Sequence, residues 1–129
     1  MNVYLDDVRK APIGWMQTRT AAETIETIID YQGEINTLSL DHDLGACNEC
    51  LETHGGSAEQ WLINSNYKEM PHCEHFGTGY EVALFLEEMA YNNPTFIFPT
   101  HVQCHSANPV GRQRIERVIE KLKQMNKIT

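Results

Sequence analysis

Leu38-Ser39-Leu40-Asp41-His42-Asp43 is a short apolar run that stops in two carboxylates with an imidazole between them. Two other segments end in the same way. Val3-Tyr4-Leu5 runs into Asp6-Asp7, with Arg9 just beyond, and Val102-Gln103-Cys104 runs into His105-Ser106 and then Asn108-Pro109. Runs of this kind read as strands of one parallel sheet, whose strand ends lie along one edge. In open α/β sheets the ligand crevice lies outside the carboxyl ends of the strands. Asp6, Asp7, Asp41, His42, Asp43 and His105 therefore form one candidate constellation, and the rest of the chain positions them.

Around these runs the pattern alternates. Ala11-Pro12-Ile13-Gly14 is a turn, and Trp15 to Thr18 is a candidate short second strand. Thr20-Ala21-Ala22-Glu23 is a capping box, after which Ala21, Ile25, Ile28 and Ile29 fall on one helical face and Gly33 ends the helix. Ile35 to Leu40 reads as the central strand. Thr78-Gly79-Tyr80-Glu81 opens a helix with a stripe of Val82, Leu86, Met89 and Ala90, which Asn92-Asn93-Pro94 stops. Thr95 to Thr100 is ambiguous, because Pro99 interrupts a strand-like run. Asn108 and Pro109 suit the N-cap and first position of a last helix with Ile115, Val118, Ile119 and Leu122 on its apolar face. Strands alternating with helices imply a mainly parallel sheet of about four strands with right-handed crossovers, in one domain spanning residues 1–129. Residues 46–77 break the alternation. They hold three of the four cysteines and read as an insertion with its own short helix, begun by Ser57-Ala58-Glu59-Gln60.

Composition narrows the function. A 41% hydrophobic and 22% charged chain is ordinary for a globular domain, and no apolar stretch approaches the roughly 20 residues needed to cross a bilayer. With no basic, apolar signal region at the start, the expected compartment is the cytoplasm. A formal charge of −8 argues against a general duplex nucleic-acid binder. Six of the ten Lys and Arg nevertheless crowd into the last 18 residues. They make either a local phosphate-holding patch or a solvated helix face. Membrane partners are not expected, and the sequence does not define an oligomeric state.

The chemistry follows from residue type. Carboxylates at positions 6, 7 and 41 raise one another's pKa unless a cation sits among them. Mg²⁺ or Mn²⁺ suits such an oxygen-rich site, and simple loop capping by Asp is the alternative. His42 and His105 are suited to proton transfer near neutral pH. His105 to Arg112 leads from a strand into a helix N-terminus, where free amides, Gly111 and the Arg112 fork suit a phosphate; an ordinary strand-to-helix turn would look the same. Cys47 and Cys50 form a C-x₂-C pair, with Cys73 and His75 some two dozen residues on. That spacing suits a closed structural Zn²⁺ site, with His54 or His72 as alternatives for the fourth ligand. A disulfide is the competing reading, disfavoured in a reducing compartment.

Four segments together resemble the cyclic-phosphate-processing receiver-like family, a reduced form of the response-regulator receiver domain. They are Leu5-Asp6-Asp7-Val8-Arg9 with Pro12 and Gly14-Trp15; Ser39-Leu40-Asp41-His42-Asp43-Leu44-Gly45; Thr78-Gly79-Tyr80; and His105-Ser106-Ala107-Asn108-Pro109-Val110-Gly111. The family occurs in bacteria and phages and is linked to RNA repair and biological conflict. The resemblance implies a flavodoxin-like, three-layer α/β fold. It matches Asp6 and Asp7 to a receiver's metal-binding acids and Asp41 to its phospho-accepting aspartate. Three features depart from receivers: no lysine follows a fifth strand, His42 and His105-Ser106 are not receiver residues, and the cysteine-bearing insertion lies outside the family core. The expectation is a metal-dependent phosphoesterase acting on a cyclic phosphate, either an RNA 2′,3′-cyclic phosphate end or a cyclic nucleotide. In it Asp6, Asp7 and Asp41 hold the ion and His42 and His105 serve as acid and base. Arg9, Ser106, Asn108, Gly111 and Arg112 hold the phosphate. The rivals are a signalling module phosphorylated on Asp41 and a protein that binds a cyclic nucleotide without turning it over.

Overall fold

The computed structural model describes all of residues 1–129. Four parallel strands, β1 (Asn2–Leu5), β2 (Met16–Thr18), β3 (Thr37–Leu40) and β4 (His101–Cys104), lie in the order β2-β1-β3-β4. Helix α1 (Ala21–Asp30) joins β2 to β3, α4 (Gly79–Asn92) joins β3 to β4, and α5 (Pro109–Gln124) follows β4. The insertion carries α2 (Asn48–Glu52) and α3 (Ala58–Asn64). This is the receiver-like, flavodoxin-like class read from the sequence.

Period-two alternation sorts the sheet. Val3, Leu5, Leu38, Leu40 and Val102 are buried in one core with Ala21, Ile28, Val82, Leu86, Ile115, Val118, Ile119 and Leu122 from the three long helices. α1 packs on α4 and α4 on α5, so these helices form a single layer. The handedness rule accounts for this. Two right-handed crossovers that move the same way along a sheet put their helices on the same face. The β1–β2 connection, residues 6–15, is a helix-free loop, and no element there covers the opposite face. Of the three layers expected, the sheet and one helical layer are complete, and the second face is lined by side chains such as Tyr4, with Trp15 edge-on 6.1 Å away.

The capping reads hold in detail. Thr20, Ser57 and Thr78 each accept a bond from the amide three residues on, and Asn108 accepts from Val110 and Gly111. Two expectations shift. Ile29 is 46% exposed, and the inward face of α1 is instead completed by Thr24, fully buried and bonded to Thr18 at 2.8 Å. Thr95 to Thr100 forms no strand; Phe96 leaves it to pack edge-on against Phe85 and Phe98. The basic cluster of α5 is largely a solvated face, with Arg112 paired to Glu116 and Lys121 near Glu87.

The insertion leaves and rejoins the domain at one point. Asp43 and Thr78 form an antiparallel bridge, and the Gly79 amide donates to the His42 carbonyl at 3.1 Å. A side chain at Gly79 would collide with the Asp41 carbonyl, so glycine is what allows this neck to close.

Candidate functional site

Strand register builds the site. Leu5 pairs with Leu40, and Leu40 with Cys104, so the next residues, Asp6, Asp41 and His105, stand abreast on three adjacent strands. The ladder continues through them: the Asp41 amide donates to the Leu5 carbonyl and the His105 amide to the Leu40 carbonyl. Alternation turns their side chains away from the helical layer, and His105 stacks flat on Tyr4 with ring centroids 4.1 Å apart. One ligand atom from each of Asp6, Asp41 and His105 lies within 4.8 Å of the other two.

Asp6 is 1% exposed and fully partnered. Its Oδ1 accepts from the amides of Val8 and Arg9 at 2.9 and 2.8 Å, and its Oδ2 meets His105 Nε2 at 3.0 Å. On the other side of the ring, His105 Nδ1 meets the buried Ser39 hydroxyl at 2.7 Å, which also accepts from Gln103 Nε2 at 3.2 Å. Without an ion the Nε2 proton points at Asp6 and the Ser39 hydroxyl donates to Nδ1. An ion at Nε2 would take the place of that proton, with the Ser39 oxygen, which has two lone pairs, accepting from Nδ1–H as well as from Gln103. Arg9 extends over this group and donates to the His105 carbonyl at 3.1 Å. Burial pushes the Asp41 carboxyl above its ordinary value, helped by the Asp6 charge and opposed by the His42 amide, His105 and Ser106. Asp7 is raised as well, by burial first and then by the Asp6 and Asp41 charges, against its own backbone hydrogen bond and Arg19. Asp7 lines the same pocket but stands outside the compact Asp6–Asp41–His105 group.

The other sequence-predicted residues are not all gathered here. His42 turns to Asp43, with Nδ1 to Oδ1 at 2.9 Å, and its ring lies directly on Gly111, where any side chain would collide with it. Gly111 thus makes room for an imidazole. Ser106 is buried and accepts from the Asn108 amide at 3.1 Å. The amides expected to receive a phosphate, those of Val110 and Gly111, are already bonded to Asn108 Oδ1 at 3.1 Å, while Asn108 Nδ2 donates to the Asp43 carboxylate. Arg112 lies in a groove beside β4 with Gln103 and Cys104, its Nε on Glu116 at 2.8 Å, and is not brought to the carboxylates. Sequence reading missed Ser39, Tyr4 and Gln103 as supports of His105. A serine inside the apolar run of β3 was the available signal.

Cys47, Cys50, Cys73 and His75 converge, with all four ligand atoms within 4.8 Å of one another and no disulfide among them. His75 Nδ1 is 3.3 Å from Cys47 Sγ and 3.4 Å from Cys50 Sγ. The amides of Cys47 and Phe76 donate to Cys73 Sγ, as amides do to a thiolate. Burial opposes ionisation of Cys73, but these amides bring its pKa down to about 7. Its hydrogen bond to Cys47 pushes Cys50 up to about 12. The alternative ligands are engaged elsewhere: His54 stacks on Trp61 at 3.7 Å, and His72 pairs with Glu69. Three thiols and one imidazole at this spacing fit a soft, four-coordinate ion.

A parallel α/β sheet of order 2-1-3-4 with acids at the ends of its two central strands defines a receiver-like domain. The chain belongs to the family described as the cyclic-phosphate processing receiver domain, whose pattern it matches over residues 1–121. The family's name ties it to cyclic-phosphate processing. No curated protein and no solved structure matches the chain.

Proposed function

We propose that the domain is a metal-dependent phosphoesterase that opens a cyclic phosphate, on an RNA 2′,3′-cyclic phosphate end or a cyclic nucleotide. The observation that carries this is the Asp6–Asp41–His105 group, three convergent ligands at the carboxyl edge of the sheet. A phosphate would be repelled by these carboxylates and by Asp7 and Asp43 in the same pocket, where Arg9 is the one basic residue. A divalent cation, Mg²⁺ or Mn²⁺, removes that repulsion and, when bound, polarises the phosphoryl oxygen and acidifies a water. Asp6, Asp41 and His105 hold it, with Asp7 adding charge. Arg9 grips a free phosphoryl oxygen.

The reaction adds water across one ester bond. A water oxygen bonds to phosphorus, the bond to one ring oxygen breaks, and that oxygen leaves with a proton. His42 lies in the neighbouring groove, which shares Asp43, Met70 and Pro71 with this pocket, and with its Nδ1 held by Asp43 it suits proton transfer through an intervening water. With His105 engaged by Asp6 and the ion, the acid–base work falls mainly to His42 rather than to a His42–His105 pair. The Cys47, Cys50, Cys73 and His75 group holds a structural Zn²⁺ with no position open for chemistry. The absence of a helix long and apolar enough to cross a membrane fits a cytoplasmic site of action.

A panel of cyclic-phosphate compounds, assayed for product with and without Mg²⁺ or Mn²⁺, tests the reading. Metal-dependent ring opening that Asp41→Asn abolishes is expected; ligand recovered intact from tight complexes would instead identify a binding protein. Asp41 at the end of β3 beside Asp6 also suits a phospho-accepting aspartate. A stable mass gain of one phosphoryl on Asp41 after incubation with a small phosphodonor and Mg²⁺ would favour signalling.

A further inference from the structure

The pocket over the acidic edge has two unlike walls. One is Asp6, Asp7, Asp41 and Asp43 with Arg9. The other comes from the insertion: Leu51, Ala58, Leu62, Met70 and Pro71. Together they enclose about 460 Å³, within the roughly 300–1,000 Å³ range of small-molecule sites. The insertion is built to present this wall. Trp61 is 3% exposed and anchors α3 within the insertion against His54, while Ala58 and Leu62, four residues apart, share another face of the helix and turn to the pocket. Met70 is 64% exposed there, a flexible apolar side chain left in water opposite four carboxylates.

We infer that the insertion is the specificity half of the site: its apolar wall takes the base of a nucleoside cyclic phosphate whose phosphate sits at the acidic edge. This rests on the phosphoesterase reading for the position of the phosphate. A ligand that spans both walls needs an anionic end that can share a cation and an apolar end that can lie on Leu62, Met70 and Pro71. A nucleoside phosphate has both, and a base-less ester has only the first. The apolar wall offers the base edge no side-chain donor or acceptor, so the base is held by its faces and not read. Purines and pyrimidines should be accepted with similar kcat/KM. A mononucleotide and the 3′ end of an RNA supply the same chemistry.

The test uses the full chain with its methionines labelled at the methyl carbon. The five Met signals are followed while adenosine 2′,3′-cyclic phosphate or glycerol 1,2-cyclic phosphate is added in Mg²⁺, with Met70→Ala assigning one signal. The Met70 signal should move with the adenosine ester alone. In turnover, Leu62→Ala, which removes three carbons from the wall, should raise KM for the adenosine ester by about tenfold or more, a single lost methylene contact being worth roughly tenfold at the least, and leave the glycerol ester unchanged. An unmoved Met70 with both esters opened equally well would overturn the wall and leave the phosphoesterase reading standing. A Met70 shift without ring opening would uphold the wall and remove the phosphoesterase reading, and neither shift nor turnover would remove both. Comparing the mononucleotide with a short RNA ending in a cyclic phosphate distinguishes the two sources.

Discussion

At the scale of single residues, the site places charge where charge is expensive. Asp6 survives burial because each of its oxygens is partnered, whereas Asp41 and Asp7 are pushed towards their neutral forms. For Asp41 the sign is definite. Its carboxyl ionises near 3.8 in the unfolded chain and higher in the folded one. Between those values the native state holds more proton, so its contribution to stability falls as pH rises through that window. Asp41→Asn should therefore be no more stable than wild type near pH 4 and more stable near pH 7. The gain is small, because the group is only partly buried and solvent screens its charge. Saturating Mg²⁺ should reverse the order, since only wild type gains about 2.7 kcal/mol when the ion stands at a hundred times its dissociation constant. Melting curves at the two pH values, with and without Mg²⁺, would sink the ion site if the order never reverses. Ser39 offers a second measurement. It holds the far nitrogen of His105, and removing such a support costs roughly 10–100-fold in metal affinity. Ser39→Ala should weaken Mn²⁺ binding by about that factor while the melting temperature without metal stays close to wild type; unchanged affinity would make Ser39 a packing residue only.

At the scale of elements, three strands ending in titratable residues carried most of the information. Parallel pairing in register does the rest, because Leu5, Leu40 and Cys104 abreast force Asp6, Asp41 and His105 abreast. The caps were legible for the same local reason, since each is settled within four residues. What could not be read was rotation of a side chain about its own bond. His42 follows Asp41 directly, yet it faces Asp43 and Gly111. Arg112 follows the helix start, yet Glu116 one turn on captures it. The cysteine group was legible from spacing, and the choice of His75 over His54 and His72 depended on Trp61, on which His54 stacks and against which His72 tilts. The insertion has one buried apolar anchor between its ligand pairs, Trp61, so the ion must supply much of its order. Cys50→Ser should abolish tight zinc binding and raise amide exchange across residues 46–77, leaving the strands protected. Zinc retained at one equivalent in that variant, by elemental analysis under reducing conditions, would defeat the assignment. Acidification should release the ion as the thiolates protonate.

At the scale of the whole molecule, the domain is a two-layer core with a separately held cap. The three-layer expectation came from the family resemblance; residues 6–15, read as a turn between two strands, leave no helix to cover the second face, so that layer is missing. The core closes without the insertion: the Asp43–Thr78 bridge and the Gly79-to-His42 bond seal the neck, Trp61 stands outside the core cluster, and apart from Leu44 the large fully buried side chains come from the sheet and the three long helices. Two residues near the neck also serve the core, Leu44, which is 1% exposed, and Phe76, whose carbonyl receives the Ala21 amide. Replacing residues 46–75 with a short Gly-Ser turn keeps both. The cost of closing a loop changes only slowly with its length, so the deletion should not by itself unfold the sheet. The shortened chain should still melt in one cooperative transition and bind Mn²⁺ within a few-fold of wild type, because Asp6, Asp41 and His105 all lie outside the deleted segment. It should lose the preference for a base-bearing ester, since every residue of the apolar wall contributed by α2, α3, Met70 and Pro71 is gone. Loss of cooperative melting would show that the insertion is part of the folding unit, and an undiminished preference for the adenosine ester would place the base elsewhere on the core.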